Sequence, residues 1–252
     1  MNIEMIVTDL DGTLLRSDKS VSKYSLGIIE KCRKRGIPFV VATARPIRAV
    51  EIDLPFIKYD SAIFHNGAVV RVEGKRLNAF SIKEPKDLIS QILKDYPDMK
   101  ISVEIDDSMY ANFDPSVIWK NVAYTFTDFS DITEKDADKI LLSVSSIEEM
   151  KKYERYLSKD LYIQLSENTV GMIMNKKASK LNGIKSIAET YGISLKNVVA
   201  FGDDYNDIEM LQSCGIGVSV GNAIKEVKEI ADYICENSDE DGIGKWLETH
   251  VV

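Results

Sequence analysis

The sequence predicts an α/β protein, with a core built on a parallel sheet and interrupted by a separate α+β module. Apolar runs of strand length alternate with amphipathic helical segments in the first third of the chain, and this alternation returns in the last third. Between them, short strands separated by polar turns are typical of hairpins, which an all-parallel sheet lacks. The predicted strands of the first and last thirds are nearly continuous in apolar residues, as expected where helices cover both faces of a sheet.

The first third contains three predicted strands and one predicted helix. Apolar runs at 3–8, 38–42 and 61–65 predict the strands. Segment 21–35 repeats apolar residues at helical spacing and is followed by a glycine, which predicts an amphipathic helix with a C-cap. The Asn-Gly pair at 66–67 predicts a tight turn after the third strand.

The middle of the chain has a different pattern. Runs at 101–105 and 109–113 flank a short polar turn and predict a hairpin. We therefore expect an inserted α+β module of residues 82–175, and a discontinuous core of residues 1–81 and 176–252. The module is also expected to contain strands at 139–144, 161–165 and 169–174 and a helix at 146–157.

The last third repeats the strand and helix pattern of the first. A stripe of apolar residues between 181 and 191 predicts a helix, for which Gly192 is a suitable C-cap. Runs at 198–201 and 216–220 predict buried strands. Asn222 is expected to cap the helix that follows.

The composition argues against some classes of protein. The 252 residues carry a net charge of −8, whereas nucleic-acid and anionic-membrane partners need basic surfaces. No apolar run reaches the length of about 18 residues that a membrane span needs. There is no charged and apolar leader segment, so we expect a cytoplasmic protein. Three widely spaced cysteines indicate free thiols, and two histidines are too few for a histidine-rich metal site.

Two carboxylates follow the first predicted strand. Residues 9–14, of sequence DLDGTL, place Asp9 and Asp11 at its carboxyl end, where ligands bind in open parallel sheets. An aspartate held there can attack a phosphoryl group and form an acyl-phosphate, while a second carboxyl transfers the proton. The alternative is an ordinary turn, since Asp and Gly are common turn residues.

Two further residues are candidates for phosphate binding. Thr43 follows the second strand, so its hydroxyl and the next backbone N–H groups can hold a phosphoryl oxygen, although threonine is also common at strand ends. Lys180 opens a helix and lies in line with the core-facing Ile184 and Ile187. A lysine in that position either extends along the core to solvent or meets a buried anion.

Residues 202–207, of sequence GDDYND, follow another buried strand and begin a helix. Asp203 and Asp207 share a face if the helix starts at once, and acidic residues in a first turn can also be simple caps. At the sheet edge, Asp203 would join the carboxylates of the first motif. Such close carboxylates do not all stay ionised without a cation, and their oxygens suit Mg²⁺.

Four segments together resemble the ordered motifs of the haloacid dehalogenase superfamily of phosphatases: residues 9–13, Thr43, Lys180 and residues 202–207. Three others resemble motifs of its Cof-type subgroup, which carries a large α/β (C2-type) cap: residues 66–68, 221–223 and 240–243. The resemblance covers essentially the whole chain and implies a Rossmann-like core with an inserted cap domain. It departs where alanine follows Thr43 and leucine follows Lys180, since glycine is more usual at both places.

The resemblance implies Mg²⁺-dependent hydrolysis of small phosphate monoesters, such as sugar phosphates or phosphorylated cofactor precursors, through an aspartyl-phosphate. Asp9 would attack phosphorus, and Asp11 would protonate the leaving oxygen and then activate water. Asp9, the Asp11 carbonyl and Asp203 would bind Mg²⁺. Asp207 would orient the motif-three lysine or a metal-bound water, and Arg45 would contact substrate or brace its loop. The phosphoryl oxygens would be held by Leu10, Thr43, Ala44, Lys180 and Asn206.

Two alternatives are left open. A phosphomutase of the same superfamily would share the motifs but needs a cap that shields a bisphosphorylated intermediate from water. The predicted cap carries cations at Lys120, Lys139 and Arg155. The other alternative, a phospho-ligand-binding regulator, would need no catalysis, which the intact acidic motifs argue against. The expected partner is a small phosphorylated metabolite, and the chain is expected to be a monomer or small homo-oligomer.

Overall fold

The computed structural model describes residues 2–119, 122–132, 135–166 and 169–252, without the side chains of residues 78 and 79. The chain forms two compact units. The first comprises Met1–Asn78 and Ser179–Val252, and the second comprises Ala79–Ala178. Among the described residues, no helix combines the length and the apolar composition needed to cross a membrane.

The first unit is built on an eight-stranded sheet. In spatial order its strands are β14 (Tyr233–Ile234), β13 (Ile216–Ser219), β12 (Val198–Gly202), β1 (Met5–Thr8), β2 (Phe39–Ala42), β3 (Ser61–Phe64), β4 (Val69–Val72) and β5 (Lys75–Ala79). The strands from β14 to β3 run parallel to their neighbours, and β4 runs antiparallel to β3. The central strands β1, β2, β3 and β12 are buried along their whole length, which explains their continuous apolar runs.

Helices of the first unit begin and end where the local sequence supports it. Helix α1 (Lys23–Lys34) follows Ser22, whose hydroxyl accepts a hydrogen bond from the Ser25 backbone N–H. Helix α5 (Lys180–Tyr191) follows Ser179 and is capped by Gly192, which has a φ of 69° that glycine adopts without strain. The described helices are α1 (Lys23–Lys34), α2 (Ile47–Asp53), α5 (Lys180–Tyr191), α6 (Ile208–Ser213), α7 (Lys225–Ile230) and α8 (Gly242–His250).

The register of the sheet brings the segments after three strands together. Thr8, the last residue of β1, lies beside Phe201 of β12 and Val41 of β2. Because these strands are parallel, the chain leaves all three at the same edge of the sheet. The predicted site residues on these loops therefore lie at one edge, as the α/β interpretation requires.

The second unit is an α+β module with a six-stranded sheet. Its spatial order is β10 (Leu161–Ser166), β11 (Val170–Asn175), β9 (Lys139–Ser143), β6 (Ile101–Ile105), β7 (Ser108–Ala111) and β8 (Thr125–Phe126). Neighbours are antiparallel, except that β7 and β8 are parallel. Helices α3 (Pro85–Asp95) and α4 (Ile147–Lys151) belong to this unit, and its buried core includes Ile89, Ile101 and Ile140.

The second unit differs from the sequence prediction in its helix at 146–157. The α-helix α4 ends at Lys151, and a separate 3₁₀ turn covers Glu154–Tyr156. Of the three cations that a phosphomutase cap would use, Lys139 is 9% exposed, Arg155 lies 3.1 Å from an Asp95 oxygen, and Lys120 lies outside the described residues.

Candidate active site

The candidate active site forms around the carboxylate of Asp9. Asp9 follows β1 and is 6% exposed, and its backbone N–H donates to the Phe201 carbonyl at 3.0 Å. This bond extends the pairing of β1 with β12, so the central strands fix the backbone of Asp9. A carboxylate on such a rigid element is held in a defined orientation.

Lys180 is the buried cation of the site. It is the first residue of α5 and is 2% exposed. Its Nζ lies 2.6 Å from Asp9 Oδ1 and 2.6 Å from Asp207 Oδ1, so the lysine meets buried carboxylates and does not extend to solvent. Burial lowers the pKa of Lys180, but the carboxylates of Asp207 and Asp9 outweigh this effect and raise the pKa above its ordinary value. The ammonium is therefore charged.

Asp207 is fully buried and accepts three hydrogen bonds. Its Oδ1 accepts from Lys180, and its Oδ2 accepts from the backbone N–H groups of Asp203 at 3.0 Å and Asp204 at 3.1 Å. Residues Tyr205–Asp207 form a 3₁₀ turn, and α6 begins only after it. The helix does not start at once, so the condition under which Asp203 and Asp207 would share one helix face is not met. Instead, Asp207 folds back onto its own loop and orients Lys180.

Three carboxylates lie close enough to share a cation. One oxygen each from Asp9, Asp203 and Asp207 lies within 4.8 Å of the others. Burial raises the pKa of Asp9 to about 8, although the Lys180 ammonium opposes the shift. Burial also raises the pKa of Asp203 to about 6. Both shifts indicate that the side chains alone supply too little positive charge at this place.

The chemistry of this donor set fits Mg²⁺, which binds hard oxygen ligands. Asp9 and Asp203 can each offer a carboxylate oxygen. Asp207 is the less suitable ligand, because both of its oxygens already accept hydrogen bonds from Lys180 or the backbone. The geometry therefore favours Asp9 and Asp203 as side-chain ligands, with Asp207 holding the lysine.

Asp11, the expected proton carrier, is engaged in two ion pairs. Arg45 Nε lies 2.6 Å from Asp11 Oδ2, and Lys19 Nζ lies 2.8 Å from Oδ1. Burial alone would raise the pKa of Asp11, but the hydrogen bonds from Arg45 and Lys19 outweigh it and lower the pKa to about 2. The carboxyl is therefore ionised at neutral pH. Of the two roles left open for Arg45, the structure shows a contact with Asp11.

Three of the predicted phosphate-binding residues, Leu10, Thr43 and Ala44, lie on the loops after β1 and β2. Thr43 is 1% exposed, and its backbone N–H donates to the Ile63 carbonyl at 2.8 Å. Its hydroxyl accepts from the Arg45 N–H at 3.1 Å, so this loop is internally braced. Ala44 is exposed, whereas Leu10 is buried and its carbonyl accepts two backbone N–H groups of the following turn.

Asn206 contacts a residue that we interpreted only as part of a turn. Its Nδ2 donates to Asn66 Oδ1 at 3.1 Å. Asn66 has a φ of 52° and does form the turn after β3, and its backbone N–H donates to the Thr43 carbonyl at 3.0 Å. Asn66 therefore links two of the loops that carry predicted phosphate ligands.

Three residues of the site region were not predicted to contact site residues. Thr13 donates to Asp203 Oδ1 at 2.5 Å, Lys19 contacts Asp11, and Asn222 donates to the Gly12 carbonyl at 2.6 Å. Because Thr13 lies inside the first motif, the sequence could have indicated that its side chain belongs to the site. Asn222 was predicted to cap a helix, and this is wrong because α7 begins only at Lys225, after Ile224 in the N-cap position.

This fold and this acidic, lysine-containing site define a hydrolase that acts on phosphate esters. A family model described as haloacid dehalogenase-like hydrolase matches residues 6–247. The chain belongs to this family. The predicted family, the α/β fold class and the enzyme class, a phosphatase, are confirmed.

Relatives in sequence and structure are similar over almost their whole length. The 5-amino-6-(5-phospho-D-ribitylamino)uracil phosphatase YitU of Bacillus subtilis is 27% identical, over 98% of this chain and 97% of that protein. The phosphoglycolate phosphatase of Methanobrevibacter smithii is 25% identical over 100% of both chains. Among solved structures, BT1666 from Bacteroides thetaiotaomicron, of the phosphatases of the same superfamily, is 25% identical with a TM-score of 0.86, over 98% of this chain and 94% of that chain. TM0651 from Thermotoga maritima is 25% identical with a TM-score of 0.87, over 99% of this chain and 98% of that chain.

Proposed function

We propose that this phosphatase hydrolyses small phosphate monoesters through an aspartyl-phosphate on Asp9, with Mg²⁺ bound beside it. The observation that carries the proposal is the contact between the buried Asp9 carboxylate and the buried, charged Lys180, with Asp203 close by. A carboxylate in this position is a nucleophile at the ligand-binding edge of a parallel sheet. The neighbouring ammonium provides the positive charge that a phosphoryl group needs.

In the first proposed step, an oxygen of the ionised Asp9 carboxylate attacks phosphorus and the bond from phosphorus to the ester oxygen breaks. Because burial raises the pKa of Asp9 to about 8, Asp9 must first lose its proton, which a cation bound beside it would favour. Lys180, Thr43 and Asn206 stabilise the charge on the phosphoryl oxygens. The leaving oxygen takes a proton from the Asp11 carboxyl. Because Asp11 is ionised and bound to Arg45 in the structure, it must gain a proton and loosen this contact before it can act as the acid.

In the second proposed step, the Asp11 carboxylate takes a proton from water as the water oxygen attacks phosphorus. The bond from phosphorus to Asp9 breaks and inorganic phosphate leaves. Asp9 is again a carboxylate, and Asp11 again carries the proton that it donates in the first step. Asp9, Asp203 and the Asp11 carbonyl would hold Mg²⁺, which supplies charge neutralisation at the phosphoryl oxygens when it is bound.

For the substrate, we propose sugar phosphates or phosphorylated cofactor precursors. Two relatives that match over nearly their full length are named for a phosphorylated ribitylamino-uracil and for phosphoglycolate, both small organic phosphates. The net charge of −8 agrees with a small substrate, since a nucleic acid would be repelled.

The test is phosphate release from a panel of phosphorylated metabolites and an aryl phosphate, with Mg²⁺ present. Asp9→Asn should abolish turnover, because an amide cannot form the acyl-phosphate. Asp11→Asn should slow turnover by roughly 10²–10⁴-fold and let a phosphorylated protein accumulate, visible by intact-protein mass spectrometry. Asp239→Asn, which changes an exposed aspartate, is the matched control.

Near-normal turnover by folded Asp9→Asn protein would refute the mechanism. The panel includes a hexose 1-phosphate, because its isomerisation without release of phosphate would identify a phosphomutase. Binding of phosphorylated ligands with no turnover of any panel member would identify a regulator.

A further inference from the structure

The turn at residues 220–224 contacts both loops that carry the proposed metal ligands. The Asn222 side chain donates from Nδ2 to the Gly12 carbonyl at 2.6 Å. Two residues further on, the Ile224 backbone N–H donates to the Asp203 carbonyl at 3.0 Å. One short turn therefore connects the segment after Asp11 to the segment that carries Asp203.

Hydrogen bonds to neighbouring residues hold the turn and the Asn222 side chain in place. The Ala223 N–H donates to the Val220 carbonyl at 3.0 Å, and Val220 is fully buried. The Asn222 amide is oriented by a second contact, because the Ser238 backbone N–H donates to Asn222 Oδ1 at 2.8 Å. The hydrogen bond from Ser238 fixes the orientation of the Asn222 amide. Little further side-chain entropy is therefore lost when Nδ2 donates to the Gly12 carbonyl.

The loop that carries Gly12 and the loop that carries Asp203 also pack tightly against each other. Thr13 Oγ1 donates to Asp203 Oδ1 at 2.5 Å. Gly12 has a φ of 79°, and a Cβ built on it would overlap Asp203 Oδ2. The first loop thus approaches the Asp203 carboxylate so closely that a small shift of Gly12 would change the position of that carboxylate.

We propose that Asn222 is a positioning residue that sets the distance between the Asp11–Gly12 segment and Asp203, and so the affinity of the site for a divalent cation. The inference rests on the proposed function and assigns a residue that this function does not use. Mg²⁺ tolerates little deviation from octahedral geometry, so ligands on two loops need a support that fixes their spacing. In this proposal Asn222 is not a ligand of the ion or of the substrate and acts through the Gly12 carbonyl.

The experiment measures Mn²⁺ binding to the full chain by electron paramagnetic resonance, without substrate, so that the readout is separate from activity. Asn222→Ala should weaken Mn²⁺ binding by roughly 10–100-fold, the usual effect of losing an outer contact of a metal site. The Mg²⁺ concentration for half-maximal activity should rise by a similar factor, whereas KM at saturating Mg²⁺ should change little.

The matched control is Ser194→Ala. Ser194 caps the 3₁₀ turn Leu195–Asn197, which precedes β12 and so lies at the end of that strand opposite to Asp203. Its loss removes a side-chain hydrogen bond of a surface turn without touching the contacts of Asn222, so Ser194→Ala should bind Mn²⁺ within about threefold of the wild type. If Asn222→Ala does not fold, Asn222→Asp replaces it, since it keeps the shape and the acceptor for Ser238. It replaces the donor to Gly12 by a negatively charged oxygen that repels the Gly12 carbonyl, so it should also weaken Mn²⁺ binding.

Three outcomes separate the proposals. Weaker Mn²⁺ binding in the Asn222 variant alone supports the inference. Equal binding by wild type and the Asn222 variant, or an equal loss in Ser194→Ala, overturns it while leaving the proposed function standing. Failure of the wild type to bind Mn²⁺ overturns the metal site of the proposed function itself.

Discussion

Arg45 and Asp11 form a two-point ion pair, with Arg45 Nε 2.6 Å from one carboxylate oxygen and Nη2 2.7 Å from the other. Lys19 adds a third charged hydrogen bond to the same carboxylate. This geometry keeps Asp11 ionised in the free protein, so Asp11 has no proton to donate in its proposed first step. The proton must therefore arrive together with a change in these contacts.

Removal of Arg45 should raise the pKa of Asp11. Arg45→Met deletes two of the three charged hydrogen bonds, so the pKa should move from about 2 toward its ordinary value of 3.8. Lys19→Met deletes one bond from a lysine whose side chain is 58% exposed, so its effect should be smaller. The measurement is a carbon-13 NMR titration of the carboxyl signals, with the Asp11 resonance assigned from Asp11→Asn. An unchanged Asp11 pKa in Arg45→Met would contradict the role given to the pair.

Lys180→Met should destabilise the protein strongly. The substitution leaves the Asp9 and Asp207 carboxylates buried without their shared cation, which costs about 3–5 kcal/mol of unfolding free energy. Urea unfolding measures the loss, and the double variant Lys180→Met with Asp207→Asn should recover part of it. Lys225→Met is the control, because that lysine is 85% exposed beside Glu229 and should change stability by less than about 1 kcal/mol. Equal effects of the two lysine substitutions would show that the buried charges are not paired as described.

A pair of glycines separates backbone strain from crowding. Gly12 and Gly36 have φ values of 79° and 81°, but only Gly12 has a carboxylate where a Cβ would lie. Gly36→Ala should therefore cost about 1–2 kcal/mol of strain and leave turnover unchanged. Gly12→Ala should cost more and should also slow turnover by about 10²-fold, because it displaces Asp203. Urea unfolding and phosphate release check both variants, and equal costs with equal turnover would exclude close packing of Gly12 on Asp203.

The sequence predicts those features of the fold and of the site that depend on residues close together in the chain. Apolar strands and a helical stripe are local patterns, so they placed Asp9 and Asp203 at one sheet edge and Lys180 toward the core. The contact of Asn222 with Gly12 joins residues 210 positions apart and leaves no periodic signal, so a cap was predicted instead. The contact of Lys19 with Asp11 was missed for a related reason: it depends on a turn in which Lys19 has a φ of 67°.

Mg²⁺ should stabilise the protein against heat, and Asp203 should be necessary for this effect. Three carboxylate oxygens within 4.8 Å repel one another, and a bound cation removes that cost in the folded state only. At a Mg²⁺ concentration 100 times the dissociation constant, the gain should be about 2.7 kcal/mol, seen as a rise in Tm that a chelator reverses. Asp203→Asn should abolish the rise. Asp204→Asn is the neighbouring control, because that exposed residue caps a 3₁₀ turn, which asparagine does equally well, and it should keep the rise. An equal rise in Tm in Asp203→Asn and in the wild type would place the cation elsewhere. Without Asp203, the cluster contains only Asp9 and Asp207, which are both paired with Lys180.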